Sequence, residues 1–150
     1  MRLRFSPYIK DILATCGKEG EYITVLIDIS YDNVGRWAER NHLAYTSFAA
    51  LSQKPPVAEL IQKELERLNR RLPEPSRMRK YILLHKEFDP DDAELTRTRK
   101  LRRELVESRY KNLIDAMYEG KDEIEAQSEV VYRDGRRGVT KIQVKVFTLA

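Results

Sequence analysis

Apolar positions along the chain change their period from segment to segment, and each change marks an element. "YITVLIDIS" at residues 22–30 is rich in β-branched types with almost no polar break, the pattern of a buried strand. Ahead of it, "FSPYIKDILATCG" offers Ser6 as an N-cap and Pro7 at the first helical position, which predicts a short helical turn before the apolar stretch at residues 12–15. The two glycines of "GKEGE" suit a chain reversal, so the two apolar segments read as a hairpin. "DNVGRWAERN" predicts a helix capped by Asp32 or Asn33 and weakened by Gly35. "HLAYTSFAALSQKPP" reads as a connection with helical fragments. From Pro56 onward Val57, Leu60, Ile61, Leu65, Leu68 and Leu72 fall at helical spacing, with Glu59, Lys63, Glu66 and Arg70 on the opposite face. Pro73 and Pro75 stop that helix, because neither can continue its hydrogen-bond ladder.

"RKYILLH" predicts a short strand, and the polar "KEFDPDD" leads from it into a basic run of Arg97, Arg99, Lys100, Arg102 and Arg103. A second helix follows to about Tyr118 and ends at Gly120, with Val106, Tyr110, Leu113, Ile114 and Met117 on one face. Leu101 and Leu105 fall off that face, so the regular helix starts after Lys100 and leaves Lys100 on a loop or at a helix entrance. In the tail Ile142, Val144 and Val146 alternate with Lys141, Gln143 and Lys145. With "EVVYR" before and "DGRRG" between, residues 139–149 read as one arm of a hairpin with a solvated face. The predicted class is α+β: a small mixed sheet with hairpins, packed with two main amphipathic helices.

Composition narrows the functions. At 150 residues the chain suits one well-packed domain. Charged residues make up 35%, but 28 basic side chains face 24 acidic ones, so the net +4 argues against a global nucleic-acid binder. No apolar run approaches the ~20 residues that span a bilayer, and "MRLRFSPY" lacks the apolar region of a secretory signal. The single cysteine, Cys16, rules out an internal disulfide framework, fits a reducing cytosol and reads as buried filler. His42 and His85 have no partners at ligand spacing, so no metal site is expected. Trp37 reads as packing, and Asp89, Asp91 and Asp92 as turn chemistry. No glycine-rich phosphate loop, serine elbow or kinase motif set is present. The basic run keeps three readings. It is a solvated helix start; or a nucleic-acid patch, although no aromatic residue lies between Thr96 and Arg109; or a loop presenting one lysine to a phosphate or carboxylate on another domain.

"ELTRTRKLRRELVESRYKNLIDAMY" resembles the C-terminal signature of AMP-forming acyl-CoA synthetases, above all the long-chain branch, where "GELTPTLKLKRK" precedes a helix containing "Y..LI..LY". "YITVLIDISYDNVGRWAERNHLAYTSF" is similar to that branch's strand, tryptophan helix and linker, and "FSPYIKDILATCG" to the segment after its "P.EIEN.L" stretch. The resemblance covers residues 2–118. It implies that Lys100 matches the family's invariant lysine, which swings into the active site for adenylation and meets the carboxylate and the α-phosphate. Arg97 stands where many relatives carry proline, which stiffens the loop less.

The resemblance further implies one C-terminal lid domain over residues 1–150, with 121–150 a β-hairpin extension and the N-terminal ATP- and acyl-binding domain absent from this chain. The parent would be a long-chain fatty-acid–CoA ligase using ATP, Mg²⁺ and coenzyme A, with none of these bound stably by the fragment and no activity in the fragment alone. Its expected partners are the N-terminal domain, fatty acid, ATP and coenzyme A, without nucleic acid, in a cytoplasmic setting compatible with peripheral attachment to a membrane. The rival reading is a free-standing basic RNA- or protein-binding module.

Overall fold

Residues 6–16, 22–88, 102–131 and 135–149 are described by the structure, a computed structural model. In chain order they form β1 (Ile9–Thr15), β2 (Ile23–Ile29), α1 (Tyr31–Arg40), α2 (Phe48–Ser52), α3 (Pro55–Asn69), β3 (Met78–Leu83), α4 (Arg103–Arg109), α5 (Lys111–Tyr118), β4 (Glu123–Val131) and β5 (Arg137–Thr148). The described strands make one five-stranded sheet in the order β1-β2-β3-β5-β4. Only β2 and β3 pair in parallel; the other neighbours are antiparallel. The α+β class follows the period of the apolar residues.

A parallel pair in mid-sheet has to be covered on both faces, and the alternation in β2 and β3 supplies both. Val25, Ile27, Ile29, Tyr81 and Leu83 pack with Val34, Leu51, Ile61 and Leu65 in a core under α1, α2 and α3. Leu26, Ile82 and Leu84 turn to the other side and pack with Val106, Leu113, Met117 and Val144 under α4 and α5. That two-sided burial explains why "YITVLIDIS" shows no polar face.

Four details differ from the sequence reading. Ser6 and Pro7 open no helix: the Ser6 hydroxyl accepts from the Tyr8 N–H at 3.3 Å in a turn that feeds directly into β1. Pairing of Ile9 with Ile29 outcompetes the local helical signal, because the extended backbone gains a ladder partner. The cap of α1 is Ser30, accepting from Asn33 N–H at 3.3 Å, while the Asn33 side chain donates to Pro7 O at 2.6 Å. α3 ends at Asn69, before either proline, and the Asn69 amide brackets the start of β3 by accepting from Met78 N–H at 2.9 Å and donating to Met78 O at 3.0 Å. The second predicted helix is two, broken at Tyr110, where ψ is 19°.

Gly35 sits in α1 for a packing reason. A Cβ there would lie 2.6 Å from the Tyr45 hydroxyl oxygen, so the ring of Tyr45 occupies the space a side chain would need. Gly120, at φ 76°, takes the left-handed conformation that closes the helix region.

The tail forms the hairpin, with Ile124 opposite Val144 and Ala126 opposite Ile142. Val144 is fully buried, whereas Ile142 and Val146 are half-buried and Lys141, Gln143 and Lys145 exposed. Replacing Val144 by Asp strands a charge in the core and is expected to lower the unfolding free energy by roughly 3–5 kcal/mol, with Lys145→Asp within about 0.5 kcal/mol of wild type. Urea titration of both variants checks the register.

Candidate functional site: the root of the basic segment

Phe88 and Arg102 are the last described residues on either side of segment 89–101. Lys100, Arg97 and Arg99 lie outside the described residues, as do Asp89, Asp91 and Asp92. What the structure defines is how the two ends of that segment are anchored.

The incoming end is tied to β2. After β3, Leu84 N–H donates to Ile27 O at 2.9 Å, extending the parallel ladder by one bond. Phe88 N–H then donates to Asp28 Oδ2 at 3.3 Å. Asp28 is fully buried, and its second oxygen, Oδ1, has no hydrogen-bond partner among the described residues. Burial raises the Asp28 carboxyl from 3.8 to about 7 because the charged form loses its water; the Phe88 N–H and Lys10 pull the other way, while Glu87 and Asp11 push further up. Lys10 and Glu87 also pair with each other at 3.5 Å.

The outgoing end is tied to β1 and to the same core. Arg103 donates from Nη2 to Ala14 O and pairs through Nε with Glu107 at 3.0 Å. Val106 and Tyr110 follow into the core beside Phe88, whose ring meets Tyr110 edge-on at 6.1 Å. Further along, the Tyr118 hydroxyl gathers the β1–β2 hairpin: Thr15 O lies at 3.0 Å, Tyr22 O at 2.8 Å, and Thr24 donates its hydroxyl to it at 3.2 Å. The tyrosine at the helix end therefore buttresses the sheet from the face opposite α3.

The helix break at Tyr110 opens a cleft of about 480 Å³ between α4, α5 and the β4–β5 hairpin. Among the described residues, Lys86, Arg109, Lys141 and Glu125 bring charge to it. The Lys86 ammonium stands 5.6 Å from the centre of the Tyr110 ring.

The remaining sequence candidates fall elsewhere. His85 is buried at the cleft and its Nε2 lies 3.0 Å from Gln127 O; a carbonyl only accepts, so Nε2 carries the proton. His42 is exposed, with φ 57°. Cys16 is exposed at the end of β1, against the expectation of a buried filler: the apolar stretch that should have enclosed it ends at Thr15. Trp37 is half-buried against the α1–α3 core, as packing requires. No group of three or more His, Cys, Asp or Glu residues able to hold a metal ion occurs among the described residues. Asp28 was missed, although one acid inside an otherwise apolar "TVLIDIS" was the visible signal. The cleft had no local signal at all, since its walls come from four separate parts of the chain.

The sequence model for the AMP-binding enzyme C-terminal domain matches residues 2–122. The chain belongs to this family. Its members are the C-terminal domains of adenylate-forming enzymes, which sets the anchored segment in the context of an enzyme built from more than one domain. The long-chain-fatty-acid–CoA ligase FadD15 of Mycobacterium tuberculosis is 28% identical over 118 residues, as is that of Mycobacterium bovis. The alignment takes in 78% of this chain and 20% of the relative, so the chain spans about a fifth of the length of the curated relatives it matches. The fold is shared with the adenylation–carrier didomain of a carboxylic acid reductase from Segniliparus rugosus, solved with AMP (TM-score 0.58, 16% identity, 79% of this chain and 15% of that one). The adenylation domain of a carboxylate reductase from Mycobacterium chelonae is similar at TM-score 0.56 and 22% identity, over 76% of this chain and 16% of that one.

The buried carboxyl at the segment root has a measurable signature. Its pKa is raised on folding, so its contribution to stability is complete below pH 3.8 and is lost as pH rises through about 7. The loss runs at up to about 1.4 kcal/mol per pH unit between those limits. Asp28→Asn keeps an acceptor oxygen for Phe88 N–H and cannot ionise. Chemical denaturation of both proteins from pH 4 to pH 8 is expected to show the variant gaining stability over wild type as pH rises; a difference that stays constant with pH would refute the assignment.

Proposed function

We propose that this chain is the lid domain of a long-chain fatty-acid–CoA ligase and that Lys100 serves its adenylation step. The observation that supports the reading is the family match across residues 2–122; within that stretch, the resemblance of "ELTRTRKLRREL" to the acyl-CoA synthetase signature is what makes Lys100 the candidate. The likeness to FadD15 supports the acyl substrate, and the domain that would hold ATP and the fatty acid lies outside this chain. Two described features agree with it. Both ends of segment 89–101 are anchored on one core, by Phe88 on one side and by Val106 and Tyr110 on the other, which suits a lysine delivered by a rigid domain. Arg103, a member of the basic run, is engaged by Ala14 O and Glu107, so that charge serves the fold more than a nucleic acid.

In the proposed reaction the fatty-acid carboxylate attacks the α-phosphorus of ATP, forming the acyl–phosphate bond and expelling pyrophosphate. Coenzyme A thiol then attacks the acyl carbon, forming the thioester and releasing AMP. Mg²⁺ bound with ATP would neutralise phosphate charge. Negative charge concentrates around the α-phosphate in the first step, and a lysine ammonium is a compact, strongly hydrated cation suited to meet it. The second step needs a different face of the domain, which a rotating lid supplies. The small sheet, clad in helices on both faces, makes a body that can rotate as one unit.

Lys100→Ala in the two-domain enzyme is expected to slow acyl-adenylate formation by about 10²–10³ and to spare thioester formation from preformed acyl-adenylate. Arg99→Ala and Arg102→Ala should act mildly on both steps. Equal damage to both half-reactions by Lys100→Ala would show that the wrong residue has been chosen. The 150-residue chain alone, given ATP, Mg²⁺, palmitate and coenzyme A, is expected to release no AMP above blank; turnover by the pure fragment would sink the lid assignment.

A further inference from the structure

Residues 67–80 carry six basic side chains and one acid, a net +5 where the whole chain carries +4, so everything outside this stretch sums to −1. The stretch ends α3, passes through a single 3₁₀ turn at Glu74–Ser76 and enters β3. Its backbone is fixed at both ends by the Asn69 amide on Met78 and within by shorter bonds. Arg71 and Leu72 N–H donate to Leu68 O and Asn69 O at 3.0 Å each, and Ser76 N–H donates to Pro73 O at 2.9 Å. The turn projects from the end of the sheet: Arg70, Arg71 and every residue from Pro73 to Ser76 are exposed. Two of the cations are engaged by acids, Arg67 by Glu64 at 2.5 Å and Arg79 by Glu74 at 3.7 Å. Among the described residues no carboxylate pairs with Arg70, Arg71 or Arg77. Arg77 donates through Nε to Leu72 O at 3.0 Å, which draws it in beside Arg71. Three guanidinium groups without an acid therefore share one turn.

We propose that this turn is a docking surface for an anionic lipid membrane, with Arg70, Arg71 and Arg77 meeting the phosphate head groups. Shape and chemistry both favour that occupant. A bilayer presents a plane of phosphates, which a projecting turn can touch, whereas a small soluble phosphate is held best in a concave site. A guanidinium fork grips two phosphate oxygens at once and sheds its water more readily than an ammonium does. Pro73 and Pro75 have no N–H to desolvate at the head-group layer. Single-stranded nucleic acid fits less well, since the stretch has no aromatic side chain to stack on bases and Tyr81, which follows it, is fully buried. Attraction to an anionic leaflet is worth about fivefold per arginine, so three give roughly a hundredfold, a weak and reversible hold. The turn enters β3 at Met78, whereas the root of segment 89–101 leaves beyond the other end of that strand, at Phe88. A membrane on the turn thus sits a strand's length from that root. The proposal goes beyond the adenylation reading and uses none of its residues.

Co-sedimentation of the 150-residue chain with sucrose-loaded vesicles measures this directly. Vesicles of equal parts phosphatidylcholine and phosphatidylglycerol are expected to bind it about a hundredfold more tightly than phosphatidylcholine alone at low salt. Raising the salt to about 0.5 M should remove the difference. Arg70→Ala and Arg71→Ala should each weaken binding about fivefold. Arg36→Ala and Lys145→Ala, exposed on α1 and β5, should leave it unchanged, with circular dichroism of every variant as the folding control. Equal binding to neutral vesicles, equal weakening by the α1 and β5 variants, or a greater loss from Lys100→Ala than from Arg71→Ala would overturn the proposal. Displacement by ATP at matched ionic strength would assign the turn to a soluble phosphate instead. Tighter binding of single-stranded RNA or of a glutamate-rich peptide at the same charge concentration would assign it to a nucleic acid or an acidic protein segment. Because the adenylation test uses Lys100 and this one turns on Arg70 and Arg71, either can fail without the other.

Discussion

Pairing β2 with β3 in parallel is the constraint from which the remaining architecture follows. A parallel pair cannot be joined by a tight turn, so α1, α2 and α3 must intervene between residues 29 and 78. The same pair is buried on both faces, so a second helical layer has to be supplied from elsewhere in the chain, and α4 and α5 supply it. The hairpin then adds β5 to the free edge of β3, with Tyr81 stacked on Phe147 at 4.9 Å and Leu149 N–H donating to Arg79 O at 2.7 Å.

The second helical layer bears the features that matter for function. Its helix breaks at Tyr110, a buried residue whose ring is set between Phe88 and the Lys86 ammonium. A straight helix would have carried that ring past the segment root. The break lets one aromatic side chain join the incoming end of segment 89–101 to its outgoing end, and it leaves beside it the concavity that the hairpin closes into a cleft. Asp28 sits beneath the same junction. A carboxylate at that position costs stability when ionised, and its acceptance of the Phe88 N–H ties the segment to the middle of the sheet.

Several elements were legible because their signals are local. The nearly unbroken apolar run of β2, the 3.6-residue period of α3 and the strict alternation around Val144 each report burial on one or both faces, and burial determines the element. The family was legible as well, since the order of its motifs survives in the linear sequence. Other readings failed where a distant partner overrode a local preference. Ser6–Pro7 has the chemistry of a helix start, but the edge of β2 offers residues 9–15 a ladder of backbone bonds. Pro73 and Pro75 are helix stoppers, but Asn69 ends α3 earlier because Met78, nine positions on, accepts and donates to its amide.

By itself, the sequence determined the α+β class, the order of the main elements, the membership of an adenylate-forming family and the candidacy of Lys100. All of these rest on periodicity or on motif order, which are properties of neighbouring residues. Only the tertiary structure decided that β2 and β3 run parallel, that Asp28 is a buried partner of Phe88, that Tyr110 breaks the helix, and that Lys86, Arg109 and Lys141 face one cleft. These depend on contacts between residues dozens of positions apart, where the energy of a buried ring or an enclosed carboxylate is set by what the fold brings alongside and not by the residues next to it in the chain.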